Sequence, residues 1–289
     1  MYLTGYNSTM AYLTEEKQKE LQDIATKVRV TIVEMLTEAG SGHLAGSLGM
    51  TDIFTLLYFH TMKHDPKNPD MPDRDRLILS NGHITPVRYA VMAHAGYFPI
   101  EECMTLRKFG SRLQGHPERD MLPGVETTSG PLGSGLSQSA GIALGAKMDG
   151  KKFYVYCLMS DGEHQEGNTW EGAMFASANK LNRLIGIVDR NYIQITGNTE
   201  EVMPLEPFAD KYRAFGWHVI EVDGHNLEAV ADAIQEAKSI ADKPTVIIAN
   251  TTPSKGIPSI ERDYLWHGKP PKKDEKDKFI AEILASAKE

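Results

Sequence analysis

The 289-residue sequence holds only two cysteines, Cys103 and Cys157, and neither belongs to a CxxC pair. That excludes a disulfide framework and a thiolate zinc site and predicts a reducing compartment. Cys157 lies within an apolar run at 153–159 and reads as a buried, inert thiol. No window approaches the roughly 18 consecutive apolar residues that a membrane span requires. The opening MYLTGYNSTMAYL lacks the basic start and continuous apolar stretch of a signal peptide, so the expected location is cytoplasmic. Positive charge is in deficit: 31 Lys and Arg stand against 39 Asp and Glu, a formal charge of −8. Such a surface does not collect nucleic acid or anionic lipid, so an anionic ligand needs a local site. Repeats, low-complexity stretches and interdomain linkers are absent. The expectation is a single domain over 1–289, with an N-terminal arm at 1–14 and a C-terminal helix at 273–289. A GxGxxG after the first strand, with an acid about 20 residues on, is missing too, which excludes a nicotinamide dehydrogenase.

What is present is alternation. Thr14 is placed to cap a helix whose first turn holds Glu15 and Glu16. Leu21, Ile24, Ala25, Val28, Ile32, Met35 and Leu36 recur at spacings of three and four, and Gly40 ends the stripe. A second helix is expected over 51–61. Strands are expected at 76–79, 153–159, 184–188, 217–222 and 245–249, with helices through Tyr89 and over 136–147, 169–181 and 227–241. Continuously apolar strands alternating with helices predict the α/β class: a parallel sheet covered by helices on both faces.

In such a sheet, ligands gather at the carboxyl ends of the strands. The strand at 153–159 delivers Ser160-Asp161-Gly162 there, and the strand at 184–188 delivers Asp189-Arg190-Asn191. Carboxylate, amide and backbone carbonyl oxygens suit Mg²⁺, which takes one or two such ligands and completes its octahedron with phosphate and water. The plainer reading of Asp161 is a turn residue capping the next helix. Upstream, Ser129-Gly130-Pro131-Leu132-Gly133-Ser134-Gly135 precedes a helix, where glycines allow close approach and helix N–H groups face an anion. Together the two features make a coherent diphosphate site.

Ser160-Asp161-Gly162 followed, after 28 intervening residues, by Asn191 resembles the GDG…N motif of thiamin-diphosphate enzymes. Ser41-Gly42-His43, Leu79-Ser80-Asn81-Gly82-His83, Gly115-His116-Pro117-Glu118, Gly130–Gly135 and Trp266-His267-Gly268-Lys269-Pro270 look like transketolase, in transketolase order. The likeness runs from about residue 20 to 275. Two departures stand out: Ser160 replaces a glycine, and Asn81 and Asn250 stand where some members of the family carry a basic residue.

The resemblance implies the thiamin-diphosphate-binding fold, with Mg²⁺ held by the side chains of Asp161 and Asn191 and the carbonyl of Ile193. It implies that Gly130, Leu132 and Gly162 shape the cofactor cradle, that His83 and His267 sit by the diphosphate, and that His43, His116 and His267 line the channel. Histidine suits that channel because its free pKa lies near neutrality. Glu166 and Glu171 coincide with glutamates of a carboxylate network between active sites, although Glu171 also suits a helix's first turn. His60, His64, His94, His164, His218 and His225 are read as structural or surface residues. The implied reaction is ketol transfer between sugar phosphates. A full transketolase has two further domains, so the expected partner is a second, C-terminal subunit, with self-association into a heterotetramer. The alternatives are the cofactor-binding subunit of a 2-oxoacid dehydrogenase or of a deoxyxylulose-phosphate synthase-like enzyme, and a non-catalytic assembly subunit.

Overall fold

A computed structural model describes residues 13–288. Most of the expected N-terminal arm, residues 1–12, lies outside the described residues. Helix α1 (Glu15–Ala39) begins as its sequence dictates: Thr14 Oγ1 accepts from Lys17 N at 3.2 Å. It ends where Gly40 turns left-handed at φ 63°. The expected helix over 51–61 is broken up. A short α2 (Ala45–Gly49) precedes α3 (Thr51–Leu56), and a π turn covers Leu57–Thr61.

Strand β1 (Arg76–Leu79) leads into α4 (Thr85–His94), and the Gly-rich turn into α5 (Ser134–Met148). Then come β2 (Val155–Ser160), α6 (Gly167–Ala178) and β3 (Leu184–Arg190). A small antiparallel hairpin of β4 (Ile193–Gln194) and β5 (Gly197–Asn198) follows, then α7 (Thr199–Val202) and α8 (Phe208–Ala214). The chain closes with β6 (His218–Asp223), α9 (Leu227–Ser239), β7 (Thr245–Asn250) and α10 (Lys276–Ser286). The main sheet is parallel throughout, in the order β1-β2-β3-β7-β6.

The apolar runs resolve into two alternating faces, the side-chain period of a strand. Tyr156 and Leu158 join Ile185 and Ile187 on one face, under α1, α3, α4, α9 and α10. Val155, Cys157 and Met159 join Leu184 and Val188 on the other, under α5, α6 and α8. Each Leu, Ile or Val withdrawn from water contributes about 1.5–3 kcal/mol. On α10, Phe279 and Ile283 are buried, but Leu284 is 48% exposed, so the apolar side is narrower than the sequence suggests. Strand β3 also runs two residues past its expected end, which puts Asp189 and Arg190 inside the sheet. That extension shapes the site.

Candidate functional site

The carboxyl ends of β1, β2 and β3 converge. At β1, Ser80-Asn81-Gly82-His83 meets the Gly-rich turn, and the contact demands glycine. A Cβ on Gly135 would stand 2.3 Å from the Ser80 side chain, and one on Gly82 would stand 2.3 Å from Ser129 Oγ. Glu163, which the sequence pattern does not single out, holds the junction together. Its buried carboxylate accepts from Ser160 N at 2.8 Å, Gly133 N at 3.1 Å and the Ser80 hydroxyl, while Ser80 Oγ accepts from Gly135 N at 3.0 Å. Two amides of the Gly-rich turn are therefore already satisfied within the chain. That narrows the expectation that this helix start offers free N–H groups to an anion. Burial raises the Glu163 pKa, and its hydrogen bonds oppose the rise. The replacement of glycine by Ser160 also gains a reason, because Ser160 Oγ lies 3.3 Å from the same carboxylate.

At β2 and β3 the expected metal-side residues come together. Asp161 Oδ1 accepts from Gly162 N at 2.7 Å and Oδ2 from Tyr192 N at 2.8 Å. Asn191 Oδ1 accepts from the next amide, Ile193 N, at 3.0 Å. Two consecutive N–H groups thus hold the two side chains on one loop. Asp161 is fully buried, and its pKa rises to about 6 from burial, against the opposing pull of Arg190. Asp189, beneath them, rises to about 7 through burial and the neighbouring Asp161 charge. Asp161 meets Arg190 at 3.2 Å, yet burial still raises both carboxyl groups; with amide and carbonyl oxygens beside them they have the chemistry a hard divalent cation requires. Among the described residues no group of three or more His, Cys, Asp or Glu side chains is arranged as a metal site, so any cation here draws on amide, carbonyl and ligand oxygens.

The histidines divide cleanly. His43, His83 and His267 form a triangle with ring centroids 4.9, 5.5 and 5.3 Å apart. Burial, reinforced by mutual repulsion, lowers His43 to about 4 and His83 well below its usual value, and burial lowers His267. His43 Nδ1 and His267 Nδ1 are buried without a hydrogen-bond partner among the described residues, as are both polar atoms of Asn81. Buried polar atoms left this way are rare unless something else meets them. His116 stands further out, exposed, with its ring 3.7 Å from where a Cβ on Gly130 would lie. Leu132 is 38% exposed on the same turn. Glu166 and Glu171 are exposed at the start and first turns of α6. Five histidines read as structural or surface residues show packing or hydrogen-bonding roles. His164 spans Ser160 O and Tyr212 Oη, His225 spans Asp52 and Thr252 N, His64 spans Tyr58 O and Tyr97 Oη, His94 meets Thr31, and His218 meets Glu236. Beside Asn191 and Ile193 lies a cavity of about 570 Å³, walled further by Asn250, Thr252, Lys255 and Arg262.

The comparisons agree with this geometry. The family described as "Transketolase, thiamine diphosphate binding domain" matches residues 20–283. A 6-deoxy-6-sulfo-D-fructose transketolase subunit of Clostridium sp. (strain MSTE9) is 43% identical over 252 residues, covering 87% of this chain and 92% of that protein. One subunit of the apulose-4-phosphate transketolase from Phocaeicola vulgatus is 38% identical, covering 91% of this chain and 93% of that one. Human transketolase is 39% identical over 94% of this chain but only 43% of its own length. The solved transketolase of Leishmania mexicana superposes with a TM-score of 0.86 at 34% identity, over 93% of this chain and 41% of that one.

Proposed function

Because the chain belongs to the transketolase family as its thiamin-diphosphate-binding domain, we propose that it is the N-terminal subunit of a two-chain transketolase. In this reading it moves a two-carbon ketol unit from a ketose phosphate to an aldose phosphate, and only together with a second, C-terminal subunit. The carrying observation is a triangle of neutral histidines, with unmet Nδ1 atoms on His43 and His267, together with a buried Asp161–Asn191 pair at the carboxyl ends of β2 and β3. The two relatives named as subunits lend support, being matched over nearly their full length.

Asp161 and Asn191 would hold Mg²⁺ through their side chains and Ile193 through its carbonyl, with Gly162, His83 and His267 beside the diphosphate. Gly130 and Leu132 would meet the aminopyrimidine. Thiamin diphosphate, when bound, supplies the nucleophilic carbon for the exchange. The chain's own part is orientation and proton handling. Each neutral imidazole offers one donor and one acceptor, so His43, His116 and His267 can fix sugar hydroxyls and relay a proton between donor and acceptor nitrogens while staying uncharged. A chain serving assembly alone would have no use for the unmet histidine nitrogens. Glu166 and Glu171 would face a second copy of the chain, in an assembly of two copies of each subunit.

The test is to assay the chain alone and mixed with its second subunit, supplying thiamin diphosphate, Mg²⁺, a ketose phosphate and an aldose phosphate. Ketol exchange is expected only in the mixture, and not when the chain carries Asp161→Ala. Robust exchange by the isolated chain refutes the two-chain reading.

A further inference from the structure

The loop between α4 and the Gly-rich turn carries Arg107, a residue that the histidine and metal arguments leave unused. Its guanidinium lies flat against Gly115: a Cβ there would stand 2.8 Å from Cζ and Nε and 2.9 Å from Nη2. A Cβ on Gly42 would stand 3.9 Å from the same Nε. Gly42 immediately precedes His43, and Gly115 immediately precedes His116. The arginine is therefore lodged between the two glycine–histidine turns that carry His43 and His116.

Among the described residues it has no counter-ion. Arg29, Arg74, Arg88, Arg112 and Arg190 each contact a carboxylate. Arg107 makes no side-chain hydrogen bond or ion pair among the described residues, although the chain carries an excess of acid. Its backbone is set in the left-handed region at φ 60°, closed by Arg107 N donating to Leu113 O at 2.9 Å. An arginine built into such a turn and left with all five donors free is suited to a planar, bidentate anion contact.

Depth gives the anion its place on the substrate. Exposure increases from His83 and His43, which are half-buried, to His116 and Arg107, which are exposed. The reacting end of an extended sugar belongs at the histidine triangle, so its far end belongs at the mouth. We propose that Arg107 is a specificity-determining residue, binding the terminal tetrahedral oxyanion, phosphate or sulfonate, of an extended sugar substrate. This rests on the ketol-transfer reading above. The same charge also disfavours protonated His43 and His116, whose pKa values are lowered chiefly by burial.

The test compares wild type, Arg107→Gln and Arg107→Lys in the two-subunit enzyme with three donors: fructose 6-phosphate, 6-deoxy-6-sulfofructose and uncharged erythrulose. Loss of a charge-assisted pair predicts that Arg107→Gln raises KM for both anionic donors about 10- to 100-fold. Its kcat and its KM for erythrulose should hold, and Arg107→Lys should recover part of the loss. A preference for only one anionic donor would identify the anion as phosphate or sulfonate. A uniform fall in kcat across all three donors, or no change at all, overturns the proposal. A second readout needs no turnover: inorganic phosphate or methanesulfonate titrated into the isolated chain should shift the Arg107 Nε–H resonance saturably and leave exposed Arg119 unmoved. If the mixed subunits transfer nothing, the reaction reading fails, yet this titration still decides Arg107. Absence of a shift with either anion counts against it.

Discussion

His43 shows how one half-buried side chain couples the site to pH. Burial first, then His267, Arg107 and His116, hold its folded pKa at about 4, against 6.5 for the free residue. Between those values the unfolded chain binds the extra proton and the folded chain does not, so stability from this group is complete above pH 6.5 and falls as pH drops toward 4. Asp189, raised to about 7, acts in the opposite sense, because there the folded state retains a proton that the unfolded state releases. The wild-type profile is thus a sum of opposed slopes, and the comparison with a variant isolates the histidine. His43→Asn should lose less stability than wild type between pH 7 and pH 5 in urea titrations. Parallel profiles would show that His43 is protonated as easily folded as unfolded. Much at this scale was legible in the sequence. Asp161 and Asn191 could be placed because strand ends are where apolar runs stop. Glu163 could not, since a glutamate just after Asp-Gly looks like ordinary helix-start acid until the fold brings Ser80 and Gly133 to it.

At the scale of elements, that glutamate joins three segments distant in sequence: the end of β1 through Ser80, the end of β2 through Ser160, and the turn before α5 through Gly133. Replacing an acceptor-only carboxylate by an amide turns an NH₂ toward groups that already donate. Glu163→Gln should therefore cost about 1–3 kcal/mol in stability, the usual penalty for leaving buried donors unsatisfied. It should also weaken thiamin-diphosphate binding, since both loops that shape the site hang from it. Denaturant unfolding and calorimetry check the two effects. A variant that is destabilised but binds cofactor as wild type would restrict Glu163 to the core. Strands β2, β3 and β7 were readable from composition, because a strand buried on both faces has few polar interruptions to hide it, whereas β6, at the sheet edge, was read from its β-rich residues. The β4–β5 hairpin and the π turn at Leu57–Thr61 were not, being too short for a periodicity to develop. Nor was the length of β3. Asp189 and Arg190 end the apolar run, but Arg190 is carried inside by Asp161, Glu200 and Glu206, partners that only the tertiary fold supplies.

At the scale of the whole molecule, several large apolar side chains stand exposed to water. On α6, Met174 is 58% and Phe175 44% exposed, close along the helix to the exposed Glu171. Near the site, Ile195 is 71% and Leu265 65% exposed. Side chains of this kind left in water cost free energy that association recovers, and a helix bearing a carboxylate beside two large apolar groups suits a contact made with itself across a two-fold axis. The proposed assembly of two copies of each chain puts α6 at that contact and leaves the Ile195–Leu265 rim for the second subunit. Met174→Lys with Phe175→Lys should then split the assembly into single pairs in sedimentation, with the circular dichroism of the fold unchanged. The Ile195→Lys variant should instead release the second subunit. If the double lysine variant keeps the wild-type mass, α6 is not the contact between copies, and the carboxylates of Glu166 and Glu171 lose their proposed partner.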